Sequence, residues 1–375
     1  MRFLIASDSF KDSLSAFDVG EAAREGILSA MPVAHVVNAP MADGGEGTLD
    51  ALLDSMDGQE REVEVKDPLM NTIRAKYVIL HERTAFIESA RSSGLPLVPF
   101  EKRNPLRTNT YGLGEQIKDA VLNGYRDIVI SLGGSATNDG GVGMLQALGW
   151  TFYDVDGKEV GPAGNPLLKI GSFSERDRLP ELNQCSFTIA SDVTNPFHGE
   201  DGAARIYGKQ KGGTAEGIEE LDAAMVRLAA LFKEKYGIDV QEVPGSGAAG
   251  GLGGGILAAL NGVLQSGVDT MIELTGLEEK VMKSDIIITG EGSLDQQSLM
   301  GKVPVGVAKL AKKHNKKVIG IAGRIDTELA EVNRYLDAVF SIQTECRSLE
   351  EALRSDVTEK QIRVTVEQIV RLLGI

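Results

Sequence analysis

The chain has 375 residues, 42% of them apolar and 25% charged, with 39 basic against 54 acidic side chains and a formal charge of −15. That length suits two to three domains with a sizeable core, and the composition is that of a globular protein rather than a disordered one. The negative balance argues against nucleic acid, whose binding runs on Lys and Arg at phosphates, and no apolar run reaches membrane-spanning length.

In chain order, residues 3–6 read as a buried strand and 18–31 as an amphipathic helix; 34–38 is a second strand, followed by a Gly-rich turn and a helix over 47–53. Strands alternating with helices indicate parallel α/β units. Over 59–90 the pattern changes, and 63–66, 73–80 and 84–87 read as consecutive strands of an antiparallel meander. A strand over 127–131 leads into a Gly block and a helix through 148, and 150–155 with Asp156-Gly157 reads as a hairpin. Residues 186–190 form one more strand and 216–236 a helix. After the glycines of 245–255 the alternation returns, with apolar strands at 285–289, 317–322 and 338–342 and a closing helix over 359–373. The expected fold is α/β with two domains. Residues 1–60 and 266–375 form a doubly wound, Rossmann-like domain, interrupted by a mixed α+β domain over 61–265, with the active-site cleft between them.

The two cysteines, Cys185 and Cys346, have no metal-ligand spacing and suggest a reducing compartment. Charged Asp8 and Lys11 follow the first apolar residues too soon for a signal peptide, so a cytoplasmic location is expected. The 44 glycines are more telling, about 12% of the chain against a usual ~7%. They cluster after apolar runs. Five blocks that mix Gly with Asp, Ser, Asn or Glu follow the expected strands, at 7–11, 41–48, 132–141, 191–196 and 290–295. Ligands of open α/β sheets bind outside the carboxyl ends of the strands, so these blocks indicate a ligand site.

The block at 132–141 is the best phosphate cradle, because its glycines admit close backbone approach and a helix start follows. Asn138 or Asp139 could equally cap that helix. Residues 245–250 fit the dinucleotide pattern G-x-G-x-x-G, but Pro244 interrupts the approach and the glycines run on through Gly255. A hinge or a second phosphate-facing loop is the better reading there. No Walker A motif, H-E-x-x-H or G-x-S-x-G elbow occurs, and the four histidines are dispersed. The carboxylates expected at strand ends are Asp8, Asp43, Glu46, Asp192, Glu291 and Asp295; nearby cations are Lys11, Arg205, Lys209, Lys211 and Lys302. Carboxylates, cations and tight positioning are what phosphoryl transfer requires.

Seven blocks, in order, resemble the signature blocks of the bacterial glycerate kinase family. They are Asp8-Ser9-Phe10-Lys11 with Ser13-Leu14-Ser15-Ala16; Ala42-Asp43-Gly44-Gly45-Glu46-Gly47-Thr48; residues 132–141; Asp192-Val193-Thr194-Asn195-Pro196; Gln210-Lys211-Gly212; residues 244–253; and Gly290-Glu291-Gly292 with Asp295. The resemblance implies ATP-dependent phosphorylation of D-glycerate, commonly at the 2-hydroxyl to give 2-phosphoglycerate, on a two-domain α/β fold with one domain inserted in the other. Three positions depart from the pattern: Ser293 stands where Arg is expected, Lys209 where Pro is expected and Ser191 where Cys is usual. Lys209 could partly replace the missing cation. Arg324 lies in a strand-end loop and matches no motif of the family.

On this basis Lys11 is expected to neutralise the moving phosphoryl group, with Asp43 or Asp192 accepting the substrate hydroxyl proton. Gly133, Gly134, Ser135, Asn138, Gly247 and Lys211 would hold ATP. Asp8, Ser9, Glu46 and Asn195 would contact the hydroxy acid, and Glu291 with Asp295 would bind Mg²⁺. The expected partners are D-glycerate or a related small hydroxy acid, neither nucleic acid nor membrane, with homo-oligomerisation left open. The alternatives are a 3-phosphoglycerate-forming or other hydroxy-acid kinase, then a nicotinamide-dependent hydroxy-acid oxidoreductase using residues 245–250, then a non-catalytic sensor of sugar acids.

Overall fold

Phe3, Leu4 and Ile5 are all fully buried, as a central parallel strand covered on both faces requires. The computed structural model describes residues 1–45, 47–295, 298, 301–326 and 331–374. Its strands, in chain order, are β1 (Arg2–Ile5), β2 (His35–Asn38), β3 (Gln59–Lys66), β4 (Thr72–Leu80), β5 (Thr84–Glu88), β6 (Asp127–Ser131), β7 (Thr151–Tyr153), β8 (Ser172–Ser174), β9 (Ser186–Ala190), β10 (Val263–Gln265), β11 (Ile286–Leu294), β12 (Lys317–Ile325) and β13 (Ala338–Ser341). The chain divides into two compact units. The first comprises Met1–Asp43, Asp50–Asp57 and Ser266–Ile375, the second Gly44–Leu49 and Gly58–Gln265. The fold is a two-domain α/β architecture. No described helix is long and apolar enough to cross a membrane.

The first unit holds a five-stranded, all-parallel sheet in the order β13-β12-β11-β1-β2. Counting only this unit's strands, the order is 2-1-3-4-5 from the other edge, with its topological switch between β1 and β11. On one face, Phe3, Ile5, Ile286, Ile288, Ile319 and Ile321 pack against Val19, Ala23 and Ile27 of the helix Ala16–Ala30 and Ile362 and Val366 of the helix Ser355–Leu372. Leu4, Ile287 and Val318 alternate to the other face and are equally buried. The helix Val303–Lys313 packs on β11 and β12. Ser15 starts the first helix, its Oγ accepting the Asp18 N–H at 3.1 Å, a cap worth about 1 kcal/mol.

The second unit holds a six-stranded sheet in the order β10-β9-β6-β5-β4-β3. β3, β4 and β5 pair antiparallel, while β5, β6, β9 and β10 run parallel. The segments leaving β5, β6 and β9 therefore emerge side by side at one end of this sheet. Leu113, Ile117, Ile128, Ile130, Phe152, Phe187, Phe197 and Phe232 are among its core residues.

Several elements differ from the sequence reading. The 290–295 block does not follow a strand: β11 runs on to Leu294, because β12 continues beside it, pairing Glu291 with Ala322, Ser293 with Arg324 and Leu294 with Ile325. Residues 154–158 do turn back, with a bridge from Tyr153 to Glu159, but β7 finds its ladder partner in β8 rather than across that turn. The glycine run at 245–255 follows the 3₁₀ turn Val240–Glu242, not a strand, and leads into the helix Ala248–Leu260, with left-handed backbone at Ala249, Gly250 and Gly251. It is no hinge. Gly250 has φ +74°, and a Cβ there would stand 2.1 Å from the Thr137 carbonyl oxygen. Glycine is needed so that this segment can lie against residues 137–141, where the Gly140 N–H donates to the Gly250 carbonyl at 3.0 Å.

Candidate active site

In the first unit, polar groups gather where β1 and β11 end, at the topological switch. The Asp8 N–H donates to the Gly290 carbonyl at 2.9 Å, and Ser7 Oγ donates to the same oxygen at 2.9 Å, so the exit of β1 is stitched to β11. Asp8 Oδ1 accepts the Ser9 N–H at 2.6 Å and Ser9 Oγ at 3.3 Å. Burial, then the charges of Asp43 and Glu291, push the Asp8 carboxyl up to about 7 against those Ser9 hydrogen bonds.

Glu291 is 5% exposed. Its Oε1 accepts from Ser298 Oγ, and its Oε2 lies 3.2 Å from Lys302 Nζ. Burial raises the Glu291 carboxyl; Ser298 and Lys302 pull the other way. Burial lowers the Lys302 ammonium, but Glu291, Asp295 and Asp43 outweigh it and hold the group above the usual lysine value. Lys302 also stands immediately before the helix Val303–Lys313. Lys11 is exposed, and its N–H lies beside β11, 3.5 Å from where a Gly292 Cβ would be. Asp8, Ser9, Lys11, Asp43, Glu291 and Asp295 are thus all in this unit; Glu46 lies outside the described residues.

This group fits a divalent cation in charge. Asp43 and Glu291 raise the proton affinity of Asp8, and Asp295 raises that of Glu291, so the group, with Lys302 as countercharge, favours added positive charge. Among the described residues no three ligating side chains form a ready metal cage. Mg²⁺ seldom uses one, since it is generally held by one or two carboxylates together with substrate phosphates.

In the second unit, the 132–141 segment leaves β6 and is held from several sides. The Leu95 N–H donates to the Gly134 carbonyl at 2.7 Å, the Ala136 N–H to the Ser93 carbonyl at 2.8 Å, and Thr108 Oγ1 to the Ala136 carbonyl at 2.8 Å. Gly133 is half-buried and Gly134 exposed, so the tip is open to solvent. Behind it, Lys211 is 2% exposed, and its Nζ donates to Ser135 Oγ at 2.9 Å and to the Thr137 carbonyl at 2.7 Å. Burial pulls this ammonium down to about 7, with Asp139 opposing.

Asp139 is fully buried and serves the local fold. Its carboxylate accepts from the Thr110 N–H and hydroxyl, both at 2.9 Å, and from the Gly141 and Gly143 N–H groups at 3.1 and 3.0 Å. It therefore caps the helix Val142–Ala147, leaving Asn138 free of that task. Neither end of the buried Asn138 amide has a partner among the described residues. Asp192 is half-buried in the segment after β9. Asn195 is engaged within its own loop: Nδ2 donates to the Asp201 carbonyl at 2.9 Å, and Oδ1 accepts from the Tyr207 hydroxyl at 2.7 Å. Gly247 is buried, its N–H donating to the Asn195 carbonyl at 3.1 Å. Of the remaining cations, Arg205 is committed to Glu219 and Asp222, while Lys209 is exposed.

Glu88 was not singled out from the sequence. It ends β5, is 2% exposed, and its carboxylate accepts the Gly47 N–H at 2.9 Å and Arg91 Nε at 2.9 Å. It thereby anchors the Gly-rich turn after Asp43, where Gly47 has φ +89°. A lone Glu at the end of an apolar run carries no motif. Only the alternation of β5, which places the Glu88 side chain inward, could have pointed to it.

The sequence profile of the glycerate kinase family matches residues 3–374. A protein of Escherichia coli (strain K12) named Glycerate 2-kinase is 45% identical over 94% of this chain and 93% of its own length. A protein of Haemophilus influenzae named Glycerate kinase is 42% identical over 100% of this chain and 99% of its own. A crystal structure from Salmonella typhimurium LT2, provisionally named glycerate kinase 2, superposes with a TM-score of 0.90 at 40% identity, covering 100% of this chain and 98% of that one.

Proposed function

The chain belongs to the glycerate kinase family and is a kinase, and from that premise we propose that it transfers the γ-phosphoryl group of ATP to the 2-hydroxyl of D-glycerate, giving 2-phosphoglycerate, in the cytoplasm. The observation that carries the reading is the convergence of Asp8, Asp43, Glu291 and Lys302 at the switch point of the first unit's sheet. An oxidoreductase working through residues 245–250 has no such support, because those glycines serve backbone packing.

In this reading Asp43 accepts the proton of the substrate hydroxyl, or Asp192 does, and Asp8 and Ser9 hold the hydroxy acid together with Glu46 and Asn195. Lys11 meets the charge that develops on the moving phosphoryl group. Glu291 and Asp295 would hold Mg²⁺, which when bound neutralises phosphate charge. Gly133, Gly134 and Ser135 offer a loop to the nucleotide phosphates, with Asn138, Gly247 and Lys211 behind it. Lys211, close to half-charged at neutral pH, would become fully charged when an anion arrives.

The test is ADP release from the purified protein with MgATP and D-glycerate, followed by phosphorus NMR of the product. Turnover with a 2-phosphoglycerate signal supports the whole reading. A 3-phosphoglycerate signal overturns the choice of hydroxyl, and no turnover by folded protein overturns the substrate.

A further inference from the structure

Ser293 and Arg324 are directly paired across the parallel ladder of β11 and β12. Neighbouring strands lie about 4.8 Å apart and paired residues project from the same face, so side chains at these two positions start from adjacent points and reach the same space. Glu291, two residues before Ser293, projects from that face as well. The resemblance read from the sequence leads to an expected Arg where this chain has Ser293, and Arg324 lies in none of the resembling blocks. This chain therefore carries a guanidinium one strand over from the place where one is expected.

Arg324 itself is exposed at the end of β12, and among the described residues its guanidinium makes no hydrogen bond or ion pair. Arg61, Arg74, Arg83, Arg205 and Arg354 all have an acidic partner. A guanidinium presents five donors in a rigid fork suited to carboxylate or phosphoryl oxygens. It is held here on a strand, paired at Ser293 with β11 on one side, rather than on a loop.

We propose that Arg324 binds an anionic group of the reactants, the carboxylate of the hydroxy acid or a phosphoryl oxygen of the nucleotide, and that it does so in place of an arginine at position 293. The proposal rests on the kinase reading for the identity of the reactants. It does not rest on that reading for the pairing of Ser293 with Arg324.

The decisive experiment compares the wild-type chain, Arg324→Ser, and the exchange Ser293→Arg with Arg324→Ser. Arg324→Ser is expected to lose about 100-fold in kcat/KM with a little-changed melting temperature, since its guanidinium has no hydrogen-bond or ion-pair partner among the described residues. The exchange is expected to recover activity to within about threefold of wild type, because the fork returns to the same space from the neighbouring strand. A rise in KM for D-glycerate assigns the fork to the carboxylate. A rise in KM for MgATP, or a fall in kcat alone, assigns it to the phosphoryl group. Arg324→Ser within twofold of wild type overturns the proposal, as does an exchange that recovers nothing while remaining folded. If the wild type does not turn over D-glycerate, the kinase reading fails first. The melting-temperature shift given by MgATP and by D-glycerate, read on the same three proteins, then decides the arginine separately: one shift lost in Arg324→Ser and regained in the exchange supports it, and shifts equal in all three overturn it.

Discussion

Lys302 and Glu291 form an ion pair, Nζ to Oε2 at 3.2 Å, whose carboxylate is almost fully buried and whose ammonium also feels Asp295 and Asp43. Removing the cation leaves Glu291 with Ser298 and adds to the repulsion already raising Asp8. Breaking a buried pair from one side costs more than the pair contributes, because a charge is stranded. Lys302→Met is accordingly expected to lower kcat by about 100-fold. It should also move the acidic limb of the pH–rate profile upward. Steady-state rates from pH 5 to 9 check both; an unchanged limb would mean that Lys302 does not set the charge of this group.

Asp8 gives a prediction about stability rather than rate. Its folded-state carboxyl sits at about 7, above the ordinary value of 3.8. Between those two values the folded protein binds more protons than the unfolded chain, so stability falls as pH rises through that window. Asp8→Asn removes the penalty. The variant should melt at the wild-type temperature near pH 4 and about 2–5 °C higher at pH 8, while losing most of its turnover. Melting curves at the two pH values test the sign, and a variant less stable at pH 8 would contradict it.

The outline of this site was legible because the residues that form it follow strands whose apolar runs are plain. Phe3 to Ile5 and Ile286 to Ile288 have no polar interruption, so Asp8 and Glu291 stood out as the first charges beyond them. The length of β11 was not legible, since Gly290, Gly292 and Gly323 read as loop although each lies in a strand paired to the next. The helix Tyr111–Leu122 was hidden for a related reason. It carries Gly112, where a Cβ would meet the Lys66 carbonyl oxygen at 1.8 Å, so close packing of backbone displaced a good helix former. The partners of Lys211 were beyond reach, because Ser135 and Thr137 lie more than seventy residues away and nothing local marks Lys211 as buried.

Lys211 makes the opposite linkage to Asp8. Its ammonium is pulled down to about 7 from 10.5, so between those values the unfolded chain binds the extra proton and wild-type stability rises with pH. Lys211→Met removes the group and should abolish that rise, with a melting temperature at pH 7 equal to or above wild type. Loss of the buried cation beside Ser135 should at the same time weaken MgATP binding by about 10-fold or more. Calorimetric titration with MgATP, run with melting curves at pH 7 and 9, separates the two effects. Weaker binding in a less stable protein would instead indicate a structural lysine.

The assignment of the base divides between Asp43 and Asp192, which belong to different units of the chain. Asp43 stands among carboxylates and is one of the charges raising Asp8. Asp192 is half-buried in the segment after β9. A carboxylate acting as general base contributes about 10²–10⁴-fold, and its amide keeps shape and volume while losing basicity. Asp43→Asn is therefore expected to lower kcat by at least about 100-fold with KM for D-glycerate little changed, and Asp192→Asn by less than 10-fold. Lys11→Met should likewise act on kcat rather than KM, since it meets charge that exists only as the phosphoryl group moves. Single-turnover rates of the three variants make the comparison free of product release. The reverse order for the two aspartates would move the base to Asp192, and near wild-type rates in both would remove general-base catalysis by either residue.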